Sequence, residues 1–154
     1  MNMNNSTYEV LRNNALVKGL SSGQLETFYN AGELVSVGAG DLLIQEGQGS
    51  NYLYLVLSGK LEIYHPDIQE NFTLALCNPG EYVGEYAFID AEPASATVKV
   101  TQPSEFFRIR HENAKLLFKS DADMGQVVYR NLLTNLVTRL RSMDKEFDNF
   151  LLIF

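Results

Sequence analysis

The sequence predicts a mainly β fold, an antiparallel sandwich or small barrel, bracketed by helices at both ends. Two observations carry this. Across residues 33–110, short apolar runs are cut by turns at Gly38-Ala39-Gly40, Gly47-Gln48-Gly49, Ser58-Gly59, His65-Pro66-Asp67, Asn78-Pro79-Gly80 and Gln102-Pro103-Ser104. Several short strands at this spacing fold into a sandwich or barrel. Across residues 111–154 there is no proline and one glycine, Gly125, and apolar residues recur at helical spacing. The 154 residues suit a single domain, large enough to bury a core without staples.

Residues 7–32 read as short helices, with Leu11, Leu16, Leu20, Leu25 and Phe28 as apolar positions. Ser21 suits the N-cap of a helix over 22–31, and Gly32 suits its stop. Strand-like runs follow at 41–45, 52–57, 60–64 and 72–76. In the run from Tyr52 to Leu57 nearly every residue is apolar or aromatic, which predicts a strand covered on both faces. The stretch from Gly84 to Asp90 lacks period-two alternation and opens on glycine and glutamate. A short helix starting near Gly84 is the simplest account.

In the last region Leu133, Leu136, Leu140, Met143, Phe147 and Phe150 are spaced 3, 4, 3, 4, 3. This is the seam of a coiled coil. Val128, Leu132 and Val137 widen the stripe. The helix could pack on its own barrel or on a partner. Because it ends in Phe150-Leu151-Leu152-Ile153-Phe154, an apolar patch larger than monomers usually expose, a homodimer through the six seam residues is expected.

Charge narrows the function. The net charge is -7, which argues against general nucleic-acid binding. From Glu33 to Ser104 ten acids face two bases, Lys60 and Lys99, so that stretch is an unfavourable place for an anion. The single cysteine, Cys77, rules out an internal disulfide and reads as a small buried residue. The polar start, Met1 to Thr7, has neither a basic stretch nor an apolar run, and no segment is long and apolar enough to span a bilayer. A cytoplasmic protein is expected. Two isolated histidines, His65 in a turn and His111 at a helix start, cannot supply a metal centre. No nucleophile elbow, paired catalytic carboxylates or Walker pattern is present, so no enzyme is expected.

Two motifs give the chain a family resemblance. The first is Gly40-Asp41-Leu42-Leu43-Ile44-Gln45-Glu46-Gly47 with the run from Tyr52 through Ser58-Gly59-Lys60 to Ile63. The second is Gly84-Glu85-Tyr86-Ala87-Phe88-Ile89 with Pro93-Ala94-Ser95-Ala96-Thr97-Val98. Together they resemble the paired strands and the phosphate-binding cassette of the cyclic-nucleotide-binding domain family, over about residues 15–150. The resemblance implies an antiparallel jelly-roll barrel with N-terminal helices, a cassette at 83–98 and a long C-terminal helix.

It also implies a site for a small anionic ligand such as cAMP or cGMP, formed by Val83, Gly84, Glu85, Tyr86, Ala87, Ala94, Ser95 and Ala96. In the family the short helix offers backbone N–H groups to the phosphate, the glutamate accepts from the ribose 2′-hydroxyl, and an arginine pairs with the phosphate. The arginine position here is Ala94. A charge-assisted hydrogen bond contributes roughly 1.5–3 kcal/mol, so cyclic-nucleotide affinity should be weakened. Lys99, five residues on, should point to the opposite face and not replace it. Glu85 is expected as an exposed helix-start acid unless a ligand engages it. The expected function is a stand-alone sensor signalling through its C-terminal helix, or a degenerate dimerisation module that keeps the fold alone. Direct DNA binding is not expected, because no helix-turn-helix follows the long helix.

Overall fold

A computed structural model describes residues 3–67 and 73–153. Two short helices, α1 (Asn5–Arg12) and α2 (Ser22–Asn30), lead into six strands: β1 (Glu33–Val37), β2 (Leu42–Ile44), β3 (Tyr52–Tyr64), β4 (Thr73–Cys77), β5 (Tyr82–Val83) and β6 (Thr97–Arg110). A third helix, α3 (Glu85–Asp90), interrupts the strands, and α4 (His111–Ser120) and α5 (Ala122–Ile153) close the chain. Phe72, the start of the predicted fourth run, lies outside the described residues.

The N-terminal helices obey their sequence signals. Ser21 caps α2 with Gln24 in a reciprocal capping box. Gly32 is not there to stop the helix by a left-handed turn. A Cβ at that position would sit 2.4 Å from the Arg108 carbonyl oxygen and 2.4 Å from the Phe107 ring, so the glycine permits close approach of α2 to β6.

All strand pairs are antiparallel, in the order β1-β6-β3-β4, with β2 on β6 and β5 on β3. The fold is that of a jelly roll with flanking helices, but its ladders do not close into a barrel. Ser58-Gly59 and Gln102-Pro103-Ser104, expected as turns, are bends inside β3 and β6, which stay paired from Tyr52↔Arg110 to Tyr64↔Thr97. Three register shifts fall between Val56 and Leu61. Pro103 has no N–H to give the ladder. Beside it the Ser104 hydroxyl accepts from the Lys60 N–H at 3.1 Å and donates to the Gln102 carbonyl at 2.7 Å. Gly59, at φ +90°, passes so close to Ser104 that no side chain fits.

Strand β3 is covered on both faces, as its composition predicts. Leu53, Leu55 and Leu57 join Leu11, Leu16, Phe28, Phe88, Phe107, Met124, Val128 and Leu132 in a core shared with the helices. Tyr54, Val56 and Leu61 join Ile44, Cys77, Val83, Val98, Val100 and Phe106 inside the roll. Burial pushes the Cys77 thiol up to about 12, so it stays protonated and unreactive at neutral pH. Among the described residues no helix is long and apolar enough to cross a membrane, and no three metal-ligating side chains cluster.

Candidate ligand-binding cassette

The chain from β5 into α3 is held by Gly84. It caps α3 at φ 94°, in the left-handed region, and a Cβ there would stand 2.2 Å from the Tyr52 carbonyl oxygen. Both facts demand glycine. From the other side, the buried His111 directs Nε2–H to the Gly84 carbonyl at 3.0 Å, and its backbone N–H bonds the Asn51 carbonyl at 2.9 Å. Burial lowers the His111 pKa, which favours the neutral ring. The start of α4 is thus anchored to the cassette.

Val83, Glu85 and Ala87 are buried, Gly84 is half-buried and Tyr86 is exposed. Ala94 and Ala96 are half-buried and Ser95 is exposed, all three ahead of β6. Val83 belongs to the apolar cluster inside the roll, and Ala94 packs against the same cluster. The turn at Gly47-Gln48 fixes Ala94. Gly47 N–H donates to the Ala94 carbonyl at 2.8 Å, and Ala94 N–H to the Gln48 carbonyl at 2.9 Å. Lys99 is half-buried between the buried Val98 and Val100, so it faces away from that cluster. Because Ala94 precedes the strand, its relation to Lys99 is not one of strand alternation. Among the described residues neither Lys60 nor Lys99 forms an ion pair.

Glu85 corrects an expectation. It is not an exposed helix-start acid: it is 6% exposed, although α3 begins with it. A buried carboxylate needs a partner, and the partner comes from α5. Arg139 Nη1 donates to Glu85 Oε1 at 3.2 Å and to the Tyr86 hydroxyl at 2.8 Å, with the guanidinium 5.7 Å from the Tyr86 ring centre. Arg139 was not a predicted site residue. Its available signal is the row Asn131, Asn135, Arg139 at four-residue spacing, a polar stripe beside the apolar seam. A cavity of about 320 Å³ opens beside it, lined by Ala15, Glu81, Tyr82, Asn135, Thr138 and Arg139. A larger one, about 550 Å³, lies between Gly49, Asn51, Ala87, Glu92, His111 and Lys115.

Burial is the main influence on Glu85 and raises its pKa from 4.5, countered in part by its own backbone N–H and by Arg139. The folded chain therefore holds this proton more tightly than the unfolded one. The stabilising effect of protonation is complete below the unfolded pKa and is lost as pH rises through the folded value. Glu85→Gln is expected to melt no lower than wild type at pH 7, and to lose that relative advantage as pH falls toward 4.5. Thermal melts at the two pH values check this; a lower melting temperature for the variant at pH 7 contradicts it.

The predicted seam divides. Val128 and Leu132, from the second line, are buried in the chain's own core. Leu136 is half-buried, whereas Leu133, Leu140, Met143, Phe147 and Phe150 are 55–63% exposed. Packing of the whole stripe on the protein's own barrel is thereby excluded.

Comparison with known proteins agrees with this architecture. The family model "Cyclic nucleotide-binding domain" matches residues 34–121. The Cyclic AMP receptor protein of Thermus thermophilus is 32% identical over 111 residues, 71% of this chain and 49% of that protein. A cGMP-dependent protein kinase of Eimeria tenella is 28% identical over 74% of this chain and 11% of its own length. This chain thus spans about half or less of these relatives. The crystal structure of Thermus thermophilus Catabolite Activator Protein superposes with a TM-score of 0.75 at 27% identity, covering 87% of this chain and 62% of that one. The regulatory domain of Toxoplasma gondii PKA, crystallised with cAMP, gives 0.66 at 25% identity over 73% of this chain and 43% of that one. With a jelly roll bent on β3 and β6, a left-handed glycine opening a short helix, and a matching sequence model over most of the roll, the chain belongs to the cyclic-nucleotide-binding domain family.

Proposed function

We propose that the chain is a regulatory binding module, not an enzyme. Its cassette, formed by Val83 to Ala87 and Ala94 to Ala96, takes a small anionic ligand of the cyclic-nucleotide class with weakened or altered preference, and α5 transmits the outcome. One observation carries this: the frame of the cassette is intact at Gly84 and Glu85 while the phosphate-pairing position holds Ala94. The exposed seam on α5 supports a homodimer as the output stage. The module sits in the cytoplasm and makes no DNA contact of its own.

The test is calorimetry of the wild type and Ala94→Arg against a panel of cyclic nucleotides. Wild type should bind cAMP and cGMP no tighter than tens of micromolar. Ala94→Arg should gain about tenfold or more, the effect of a charge-assisted bond on a prepared site. Submicromolar wild-type binding would contradict the electrostatic argument. A folded Ala94→Arg variant with no gain would favour the second reading, a degenerate dimerisation module, which the exposed seam alone already supports.

A further inference from the structure

Helix α5 is fastened to the body by three polar side chains one helical turn apart. Asn131 Nδ2 donates to the carbonyls of Leu16 and Lys18, both at 2.9 Å. Asn135 Nδ2 donates to the Tyr82 hydroxyl at 2.7 Å. Arg139 reaches Glu85 and Tyr86, the first two residues of α3. Beyond Arg139, every described residue of α5 is exposed. Arg139 is therefore the last of these three rungs, and the stretch of α5 past it, roughly 20 Å at 1.5 Å per residue, is exposed along its described length.

The rung is attached where the cassette reading, on which this inference rests, places the ligand's acceptor. Glu85 is buried, and the position at which the family resemblance expects a cation holds Ala94. Arg139 provides the counter-charge from the arm instead. A carboxylate held this way is already occupied by the protein.

We propose that Arg139 is an internal occupant of the cassette: it clasps α5 to α3 through Glu85 and Tyr86, and a ligand that takes Glu85 must first displace it. The clasp links the cassette to the exposed stretch from Leu140 to Ile153. Whatever engages Glu85 also frees the root of the arm. A ligand working against the clasp binds with an affinity reduced by the fraction of molecules in which the clasp is open.

Hydrogen exchange of the full chain tests the clasp without any ligand. Arg139→Met keeps the aliphatic stem and removes the guanidinium. Amides of residues 86–90 and 136–143 should exchange about tenfold faster at pH 7, the mark of easier local opening, while residues 124–132 stay unchanged. Arg139→Lys, which retains a point charge, should fall between. A change below about twofold in both segments of Arg139→Met overturns the clasp. The competition is read by calorimetry with cAMP and cGMP: Arg139→Met should bind about threefold or more tighter than wild type, and weaker binding would overturn it. If neither protein binds a nucleotide, the nucleotide reading of the cassette falls and the exchange result alone decides the clasp.

Discussion

Gly84→Ala should melt about 5–15 °C below the wild type, at roughly 2–4 °C per kcal/mol for a chain of this size. Two effects add. The left-handed conformation at φ 94° costs an alanine about 1–2 kcal/mol. The new methyl would also stand 2.2 Å from the Tyr52 carbonyl oxygen. That oxygen belongs to the backbone of β3 and cannot rotate away, so β5 must lift off β3, at about 1–3 kcal/mol for overpacking of this kind. Gly80→Ala is the control. Its φ is +90°, yet nothing lies within 4 Å of its added Cβ, so only the conformational cost applies. If the two variants melt within a degree or two of each other, the close approach at Tyr52 is not a constraint on the cassette.

Leu140→Glu/Phe147→Glu should convert a dimer into a monomer. Both side chains are exposed, 58% and 62%, so the substitution spares the chain's own core. Burying each in a two-fold helix pair contributes about 1.5–3 kcal/mol, and the pairing brings two copies of each. Association costs an estimated 4–15 kcal/mol, so losing two anchors from each helix, with like charges placed in the seam, removes the surplus. Sedimentation velocity at tens of micromolar should show a dimeric wild type and a monomeric variant of unchanged melting behaviour. A monomeric wild type at that concentration would remove dimerisation from the proposed function.

The elements of the fold with local causes were legible in the sequence. Ser21 announces an N-cap, the run from Tyr52 to Leu57 announces two-sided burial, and Gly84-Glu85 announces a helix start. What escaped was set by partners distant in sequence. Ser58-Gly59 and Gln102-Pro103-Ser104 have the composition of turns. They become bends because β3 and β6 deform together and stay paired, which neither segment specifies alone. Glu85 looks like an exposed acid because the cation that meets it lies on α5, past two intervening elements. The resemblance pointed to Gly84, Glu85 and Ala94; it did not anticipate that Arg139 of α5 meets Glu85. The apolar stripe of α5 was visible from its spacing, but only burial separates Val128 and Leu132, which belong to the core, from Leu140 and Phe147, which do not.

The double coverage of β3 has a consequence for cooperativity. Leu53, Leu55 and Leu57 face the helices, while Tyr54 and Val56 face the interior of the roll. The strand is a party wall between two rooms. Neither apolar cluster can lose its order without exposing one side of the same backbone to water, and β6, its partner along the whole length, ties the first strand and the last helices to that wall. The helical flank and the roll therefore have no separate melting points available to them: loosening of either is transmitted through a shared strand, and the native state holds or fails as one unit.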